Sequence, residues 1–396
     1  MIICVYILFI SLFLVFYNYA GYAIIVHLIN KSIRNSKKRT NNGIIATDTT
    51  PSVSFIVAVF NEESCLKEKI INSLEQDYPP GKVEFIFITD GSTDRSVDII
   101  SHYPDVRLLH SPERKGKSAA LNRAVQYALN DILIFSDANT LLNKAATRNI
   151  ARHYSDARTG GVAGEKKVIS ASSNEVGAGE GFYWKYESFL KKIDSEFYSV
   201  VGAAGELFSV RRNLYEPVKE NVILDDFIIS LKVAAKGYRI IYEPEAYATE
   251  LPSASIKDEE KRKIRIAAGG FQSIIMLKKL LLFWKSPRLS FLYISHRVLR
   301  WAVTPLCLIM AFISNLILFY LRIHPLFDLL LATQLLFYSL AMMAKLFPDS
   351  IGRMKLFKLS YYFVFMNISV IRGFFRFLRG KQTILWEKAQ REVFPA

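Results

Sequence analysis

Charged residues are missing from the first part of this 396-residue chain, and cysteine is scarce throughout. Residues 2–29 contain no Lys, Arg, Asp or Glu, so they form an apolar run long enough to cross a hydrocarbon core of about 30 Å. The run lacks the basic start, the short apolar core and the small-residue cleavage site of a secretory signal, which predicts a retained anchor. The three cysteines have neither metal-site spacing nor a disulfide framework, which is consistent with a reducing cytoplasm.

A basic patch is also missing from the central region, although the whole chain has a net charge of +15. Residues 51–256 contain 24 Lys plus Arg and 28 Asp plus Glu, so the positive excess lies beside the apolar segments. Anionic lipid headgroups attract basic residues in such positions, whereas a nucleic-acid-binding protein has its basic patch on the folded domain. We therefore expect membrane lipids as partners and no nucleic acid.

The order of basic and apolar segments predicts the topology. Five basic residues between positions 31 and 39 follow the anchor, and the positive-inside bias puts the next segment in the cytoplasm. The predicted divisions are a transmembrane anchor at 1–30, a basic and polar linker at 31–51, a soluble domain at 52–256, an amphipathic juxtamembrane segment at 257–297, a transmembrane hairpin at 298–346, and a basic interfacial helix with a tail at 347–396. We expect a multi-pass protein of the inner (plasma) membrane whose soluble domain is cytoplasmic.

Residues 359–379 have two interpretations. Their apolar run before Arg372 is shorter than the roughly 20 residues that a membrane span needs. Arg372, Arg376 and Arg379 follow at four- and three-residue spacing, which makes one stripe along a helix. This pattern favours a helix that lies in the membrane interface, and a third C-terminal span is the alternative.

The soluble region predicts alternating strands and helices. The predicted strands are Val53–Val59, Val83–Ile88, Val106–Leu109 and Asp131–Phe135, with a helical pattern between each pair. Such alternation predicts an α/β domain with a mainly parallel sheet and right-handed crossovers. The pattern becomes irregular after Gly160. It resumes with a predicted helix at Val222–Ala235 and a predicted strand at Arg239–Tyr242 that Pro244 closes.

Four acidic motifs stand in a fixed order along this region. They are Phe60-Asn61-Glu62, Thr89-Asp90-Gly91-Ser92-Thr93-Asp94, Ser136-Asp137-Ala138-Asn139 and Leu224-Asp225-Asp226. An open α/β sheet binds its ligand at the carboxyl ends of its strands, so we expect these carboxylates to converge there. Carboxylates in this position suit a nucleotide that is held through a hard divalent cation.

In their order and spacing, these motifs resemble a membrane-bound inverting glycosyltransferase of glycosyltransferase family 2. The resemblance is to the bacterial exopolysaccharide type, with hyaluronan, chitin and cellulose synthases as more distant kin. It implies a nucleotide-sugar-binding domain of the GT-A type, with transmembrane helices at both ends of the chain. It also implies a nucleotide-sugar donor and Mg²⁺ or Mn²⁺ as cofactor.

The resemblance implies a donor site built from five residues. Glu62 is expected beside the base or ribose, Asp90 at the imide of uracil, and Lys117 at the diphosphate or uridine. Asp137 is implied as a ribose or metal ligand, and Asn139 as a neutral metal ligand where the family has an aspartate. The alternatives are a first-turn acid for Glu62, a solvated loop residue for Lys117 and a helix N-cap for Asn139.

The resemblance also implies the residues that carry the transfer. Asp226 stands where the family has the general base that takes the proton of the acceptor hydroxyl, and Asp225 supports it. Arg265 is expected to neutralise the leaving diphosphate, Arg262 to contact substrate, and Gly205 to let the backbone approach an acceptor sugar. The alternatives are acidic first-turn residues for the aspartates, lipid contacts for the arginines and a tight turn for Gly205.

The implied function is inverting transfer of a hexosyl or N-acetylhexosaminyl group from a UDP-sugar. The implied acceptor is lipid-linked or a polysaccharide, at the cytoplasmic membrane face, in cell-surface polysaccharide synthesis. A processive synthase is one alternative, but Ile266 replaces the tryptophan that holds the acceptor in synthases, so we expect one or few additions. The other alternative is a nonenzymatic subunit that binds nucleotide sugars or assembles an export complex; such a subunit is expected to lose Asp90 or Asp226, and both are present.

Overall fold

The structure is a computed structural model, and it describes residues 1–37, 50–168, 175–253, 255–348, 350 and 354–380. Parts of the predicted linker and tail lie outside these ranges. The strands are β1 Val53–Val59, β2 Val83–Thr89, β3 Val106–Leu109, β4 Ile132–Asp137, β5 Leu141–Leu142, β6 Thr159–Val168, β7 Leu207–Arg211 and β8 Arg239–Glu250. The helices are α1 Ile2–Phe16, α2 Tyr22–Lys37, α3 Glu63–Leu74, α4 Ser96–Ser101, α5 Lys117–Tyr127, α6 Ala146–Ala151, α7 Glu175–Phe197, α8 Asp225–Ala235, α9 Ile256–Met276, α10 Pro287–Tyr293, α11 Thr304–Tyr320, α12 Pro325–Leu346 and α13 Lys355–Leu378.

The strands of the described chain form one mixed sheet in the order β3-β2-β1-β4-β7-β6-β8-β5. Strands β3, β2, β1 and β4 are parallel, as are β6 and β8, while β7 and β5 run antiparallel to their neighbours. The chain moves outward from β1 to β3 and then returns to the other side of β1 for β4. Since this reversal opens a crevice at the carboxyl ends of β1 and β4, it is where a ligand is expected to bind. The predicted α/β class with a mainly parallel sheet is confirmed.

The centre of the sheet is buried on both faces, which explains why every residue of β1 is buried and all but Ser54 are apolar. Successive side chains of a strand point to opposite faces. Ile56 therefore packs with Ile86 in one hydrophobic cluster, and Phe55 packs with Phe87 in the other. This double burial keeps the carboxyl end of β1 rigid beside the crevice.

The irregular segment after Gly160 contains β6, α7 and β7. Glycines obscure the pattern of β6 because they supply no side chain to alternate. They are required by crowding: a Cβ atom at Gly161 would lie 2.5 Å from the carbonyl oxygen of Ser209 on β7. The sequence therefore conceals a central strand of the second half of the sheet.

The predicted end of the last strand at Pro244 is wrong, because β8 continues to Glu250. The register between β6 and β8 shifts at this point, where Gly164 pairs with Glu243 but Glu165 pairs with Tyr247. An irregularity of this kind tolerates proline, since it does not require a ladder N–H from every residue.

Among the described residues, three helical segments are long and apolar enough to cross a membrane, namely Ile2–Asn35, Pro287–Tyr320 and Pro325–Leu346. They correspond to the predicted anchor and hairpin, but the first arm of the hairpin begins at Pro287 and not near residue 298. The early part of this arm contains Arg297 and Arg300, which interrupt the apolar pattern. Both arginines pair with Glu187 of α7 inside the protein.

The helix α13 is the one predicted to lie in the membrane interface. It packs closely on α9, because a Cβ atom at Gly373 would lie 2.5 Å from the Cβ of Ala267. Arg372 of α13 also forms an ion pair with Glu260 of α9. Its position relative to a bilayer stays a prediction, but these contacts bring α13 beside the helix that carries Arg265.

Candidate active site

A cavity of about 430 Å³ opens at the crevice between β1 and β4. Its walls come from α7, α8, α9 and α13, together with the turn that precedes β7. The predicted site residues that line it are Glu62, Lys117, Asp137, Asn139, Gly205, Asp225, Asp226, Arg262 and Arg265. The fold thus gathers residues that are up to 203 positions apart in the chain around one space.

Opposite charges meet at the centre of the cavity. The Lys117 ammonium, at the first residue of α5, donates a hydrogen bond of 2.5 Å to Oδ1 of Asp137 at the end of β4. A Cβ atom added at Gly205 would lie 3.2 Å from Nζ of Lys117, 3.4 Å from Oδ2 of Asp226 and 3.7 Å from Oδ2 of Asp137. Gly205 therefore leaves open the point at which these three groups converge.

Asp226 lies in the first turn of α8 and is held from one side. Its Oδ1 accepts a hydrogen bond of 2.8 Å from the backbone N–H of Phe227, the next residue, while its Oδ2 faces Gly205. Desolvation in the cavity and the adjacent Asp225 carboxylate raise the pKa of Asp226 to about 7, against the opposing charge of Lys117. The carboxyl group can therefore gain and lose a proton near neutral pH.

Asp225 and Lys117 set the charge around this carboxyl group. Asp225 is 5% exposed, and its Oδ2 has no hydrogen-bond partner in the described part of the chain. Burial disfavours the Lys117 ammonium, but Asp137, Asp225 and Asp226 outweigh that effect and hold the pKa of Lys117 above its usual value. Lys117 is consequently a fixed positive charge, whereas Asp226 is the group that titrates.

Asp90 is held by hydrogen bonds to the loop that precedes α5. Its two carboxylate oxygens accept hydrogen bonds from the backbone N–H groups of Lys115, at 3.0 Å, and Gly116, at 2.7 Å. The adjacent Gly91 has φ +66°, and a Cβ atom there would lie 2.7 Å from that of Arg114. Asp90 therefore fixes the loop that leads to Lys117. Its contact with a nucleotide stays a prediction.

The remaining donor-side residues lie at the ends of β1 and β4. Glu62 is 6% exposed and lines the cavity, and its backbone N–H donates to Oγ of Ser96 at 3.0 Å. Asp137 and Asn139 line the same space from the turn after β4. Within the described ranges, no group of three or more His, Cys, Asp or Glu is arranged to hold a metal ion. One carboxylate and one amide oxygen nevertheless fit a hard cation that takes its other ligands from phosphates and water.

The arginines of α9 differ in their pairing. Arg262 donates to both carboxylate oxygens of Glu259, at 3.0 and 3.2 Å, which occupies its guanidinium. Arg265 forms no hydrogen bond or ion pair with any residue that the structure describes. Burial lowers the pKa of Arg265, Asp225 opposes this shift, and Arg376 of α13 adds to it. Arg265 and Arg376 both line the cavity, so two arginines from different helices face the same space.

Sequence reasoning missed two sets of residues at this site. Tyr183, Trp184, Glu187 and Lys191 form the wall contributed by α7, whose helical pattern was not recognised. Lys69 lies behind the β4 turn, where its ammonium donates to Oγ of Ser136 at 2.6 Å and to the Thr140 carbonyl at 2.9 Å. The apolar spacing at 183, 186 and 190 was a signal for α7 that could have been recognised. For Lys69 no sequence signal exists, since surface lysines have the same pattern.

The likeness to known proteins agrees with this geometry. Residues 54–218 match the domain family described as Glycosyl transferase family 2. The poly-beta-1,6-N-acetyl-D-glucosamine synthase of Staphylococcus aureus (strain COL) is 25% identical over 238 residues, which cover 58% of this chain and 57% of that protein. The synthase of the same name from Staphylococcus epidermidis is 25% identical over 245 residues, 58% of this chain and 59% of that protein. The chain thus matches little more than half the length of these relatives.

A solved structure extends the likeness of the fold to most of the chain. The mannosyltransferase PcManGT from Pyrobaculum calidifontis, in complex with GDP-Man and Mn²⁺, superposes with a TM-score of 0.65 at 22% identity. The superposition covers 91% of this chain and 99% of that one, so the arrangement of sheet and flanking helices is shared. Residues 54–218 of this chain are thus similar to the glycosyltransferase family 2 domain, and the chain shares its fold with this mannosyltransferase and has apolar helices long enough to cross a membrane.

Proposed function

We propose that this protein transfers a sugar from a nucleotide-sugar donor, of the UDP type, to a glycan or lipid-linked acceptor with inversion at the anomeric carbon. The observation that carries the proposal is the convergence of Lys117, Asp137 and Asp226 on the open point at Gly205. Inverting transfer needs a base on one side of the anomeric carbon and a stabilised diphosphate on the other. The cavity offers carboxylates and cations in such an arrangement.

In this proposal Asp226 is the general base. Its carboxylate takes the proton of the acceptor hydroxyl while the hydroxyl oxygen forms a bond to the anomeric carbon. The bond from that carbon to the diphosphate oxygen breaks on the opposite face, and its electron pair leaves with the diphosphate. A base with a pKa near 7 is ionised often enough at neutral pH and is still basic enough to accept the proton.

The donor would lie against the ends of β1 and β4. Glu62 and Asp137 border the nucleoside side of the crevice, and Asp90 acts chiefly by holding the loop before Lys117. Asp137 and Asn139 would hold the divalent cation, Mg²⁺ or Mn²⁺, which when bound neutralises charge on the two phosphates. Lys117 is fixed in its charged form beside Asp137 and adds a positive charge that does not depend on the cation.

The departing diphosphate would be received by arginines. Arg265 has no protein partner among the described residues, and Arg376 faces the same space from α13. Besides burial, the positive charge of Arg376 helps to lower the pKa of Arg265. Two guanidinium groups this close favour an anion between them, because a diphosphate relieves their repulsion and accepts several of their hydrogen bonds. Arg262 is committed to Glu259 and therefore shapes this wall more than it contacts the substrate.

The acceptor would be a glycan in cell-surface polysaccharide synthesis at the cytoplasmic membrane face, free or linked to a lipid. The relatives named above are synthases of a polymer, but this chain has Ile266 where synthases hold the acceptor with a tryptophan. We therefore propose the addition of one or a few sugars. The apolar segments on both sides of the domain support a reaction at the membrane surface.

The test is release of nucleoside diphosphate by the purified full-length protein, offered UDP-sugars and GDP-sugars in turn, with and without membrane glycan extracts. We expect release with one donor class, and its loss by at least about 100-fold in Asp226→Asn with nucleotide binding retained. Asp98→Asn, an exposed aspartate of α4, is the matched control and should behave as wild type. No release with any donor would favour a nonenzymatic binding subunit, and full activity of Asp226→Asn would exclude this residue as the base.

A further inference from the structure

Two parts of the cavity lining differ in chemistry. One part consists of Arg265 of α9 and Arg376 of α13, which suit the phosphates of the donor. The other part, the second end of the cavity, consists of residues of α7 and of the turn Gly202-Ala203-Ala204. This turn leads into Gly205, where a Cβ atom would lie 3.4 Å from Oδ2 of Asp226, so small residues leave room for the second substrate beside the proposed base.

One charged side chain at this second end has no hydrogen-bond partner among the described residues. Lys191 of α7 is 2% exposed and lines the cavity, and its Nζ has no hydrogen-bond partner in the described ranges. Burial lowers the pKa of its amine, and the carboxylates of Glu165, Glu206 and Glu187 oppose that shift from a distance. A buried amine with unused N–H groups is costly unless an acceptor reaches it.

The neighbouring charges at this end already have partners. The ammonium of Lys166 pairs with Glu206 at 2.5 Å and also with Glu250. The carboxylate of Glu187 pairs with Arg297 at 3.0 Å and also with Arg300. Since these charges are paired within the protein, Lys191 is left as a single cation here, whereas a phosphate is typically bound by several charged or bidentate donors. A neutral ligand rich in oxygen atoms fits this balance best.

An aromatic ring completes the wall. Trp184 lies two turns before Lys191 on α7, so both side chains are on one face of the helix. The Lys191 ammonium is 5.6 Å from the centre of the Trp184 ring, and both residues line the cavity. An apolar ring beside a hydrogen-bond donor is the usual combination in sites that orient a polar ligand on an apolar wall.

We propose that Lys191 binds the acceptor sugar, donating a hydrogen bond to a hydroxyl or amide carbonyl oxygen so that the attacking hydroxyl lies at Asp226. This rests on the proposed function and adds the class of acceptor, a neutral pyranose, and a residue that selects it. Lys191 acts by binding and takes no part in proton transfer. Its loss should therefore weaken the acceptor complex and leave donor binding to the residues of β1, β2 and β4.

The test measures binding of a β-1,6-linked N-acetylglucosamine trisaccharide by isothermal titration calorimetry, with the full-length protein in phosphatidylcholine nanodiscs and the nucleoside diphosphate bound. Lys191→Met should weaken binding of the trisaccharide by about tenfold or more, the loss expected for one hydrogen bond from a charged donor. Lys191→Arg should recover part of it. The matched control is Lys192→Met, because Lys192 is the next residue of the same helix but is exposed.

Three further measurements separate the possible outcomes. Affinity for the nucleoside diphosphate and the melting temperature report whether each variant is folded with its donor site intact. Inorganic pyrophosphate is titrated as a charged competitor, and a loss confined to pyrophosphate in Lys191→Met would overturn the proposal in favour of a phosphate site. Equal affinity of wild type and Lys191→Met for the trisaccharide, including no binding to either, would also overturn it. If wild type binds no nucleotide and releases none from any donor, the proposed function has failed, which is a separate result.

Discussion

The pH dependence of the reaction is the most direct test of how the site is charged. Asp226 has a pKa raised to about 7 by desolvation and by Asp225, and lowered in part by Lys117. If the carboxylate is the base, kcat/KM should follow its ionised fraction, which is about one half at pH 7 and about one tenth at pH 6. The rate should then fall about tenfold for each further pH unit, and this acid limb belongs to the free enzyme.

Two substitutions should move this limb in opposite directions. Asp225→Asn removes the like charge that raises the pKa of Asp226, so the limb should move to lower pH by about one unit. Lys117→Met removes the opposing charge, so the limb should move to higher pH by a similar amount, in addition to any loss of maximal rate. Lys115→Met is the control, because Lys115 is exposed and pairs with Glu113 outside the cavity.

The assay is initial release of nucleoside diphosphate between pH 5 and pH 9 at subsaturating donor, with constant ionic strength. An acid limb that stays in place in both variants, or a wild-type rate that does not fall between pH 7 and pH 5, would refute the assignment of Asp226 as a base of raised pKa.

The pH dependence of protein stability tests the same pKa shift independently. A carboxyl group with a raised pKa stabilises the fold below the pKa of the unfolded chain, near 4, and this stability is lost as pH rises through about 7. Asp226→Asn should therefore melt at a higher temperature than wild type at pH 8 and at nearly the same temperature at pH 4.

The other predictions concern space, metal, leaving group and product. Gly205→Val should lower kcat/KM by at least about 100-fold with an unchanged fold, because its side chain would fill the point between Lys117 and Asp226; a modest loss would mean that substrates do not occupy this point. Chelation should suppress activity, and added Mn²⁺ or Mg²⁺ should restore it; full activity in excess chelator would contradict a role for metal. Calorimetry should show that Asn139→Asp binds Mn²⁺ more tightly in the absence of nucleotide. Arg265→Gln should lower kcat more than it raises the KM of the donor, because a leaving group gains charge only as it departs. In liposomes with donor, products should be single or short additions by mass spectrometry, and a long sealed polymer would contradict this.

The part of the fold that repeats a local pattern was readable from the sequence. Each of the strands β1 to β4 contains a short apolar run, and such a run predicts a buried strand from the residues of that segment alone. The placing of Asp137 and Asp226 at strand and helix ends follows from the same local boundaries. Carboxyl ends of parallel strands share one edge of a sheet, which is why a linear order of motifs was enough to predict a shared site.

At other positions the local sequence pattern predicted the wrong structure or predicted none. Pro244 is a strand breaker by composition, yet β8 passes through it because the partner strand β6 shifts register there. Arg297 and Arg300 look like residues outside a membrane helix, yet both form ion pairs with Glu187, more than 100 residues earlier. Their environment depends on a residue that no pattern in their own segment reveals.

The sequence by itself determined that acidic motifs stand in a fixed order between apolar segments, and their resemblance to a known family predicted a nucleotide-sugar site. Tertiary structure alone decided which groups of that site are available. Asp90 accepts hydrogen bonds from the backbone of its own loop and Arg262 donates to Glu259, whereas Lys191 and Arg265 line the cavity without a hydrogen bond to any described residue. The physical reason is that the residue type determines which hydrogen bonds and ion pairs a side chain can form. Packing between distant segments determines which of these the side chain forms within the protein and which remain available to a ligand.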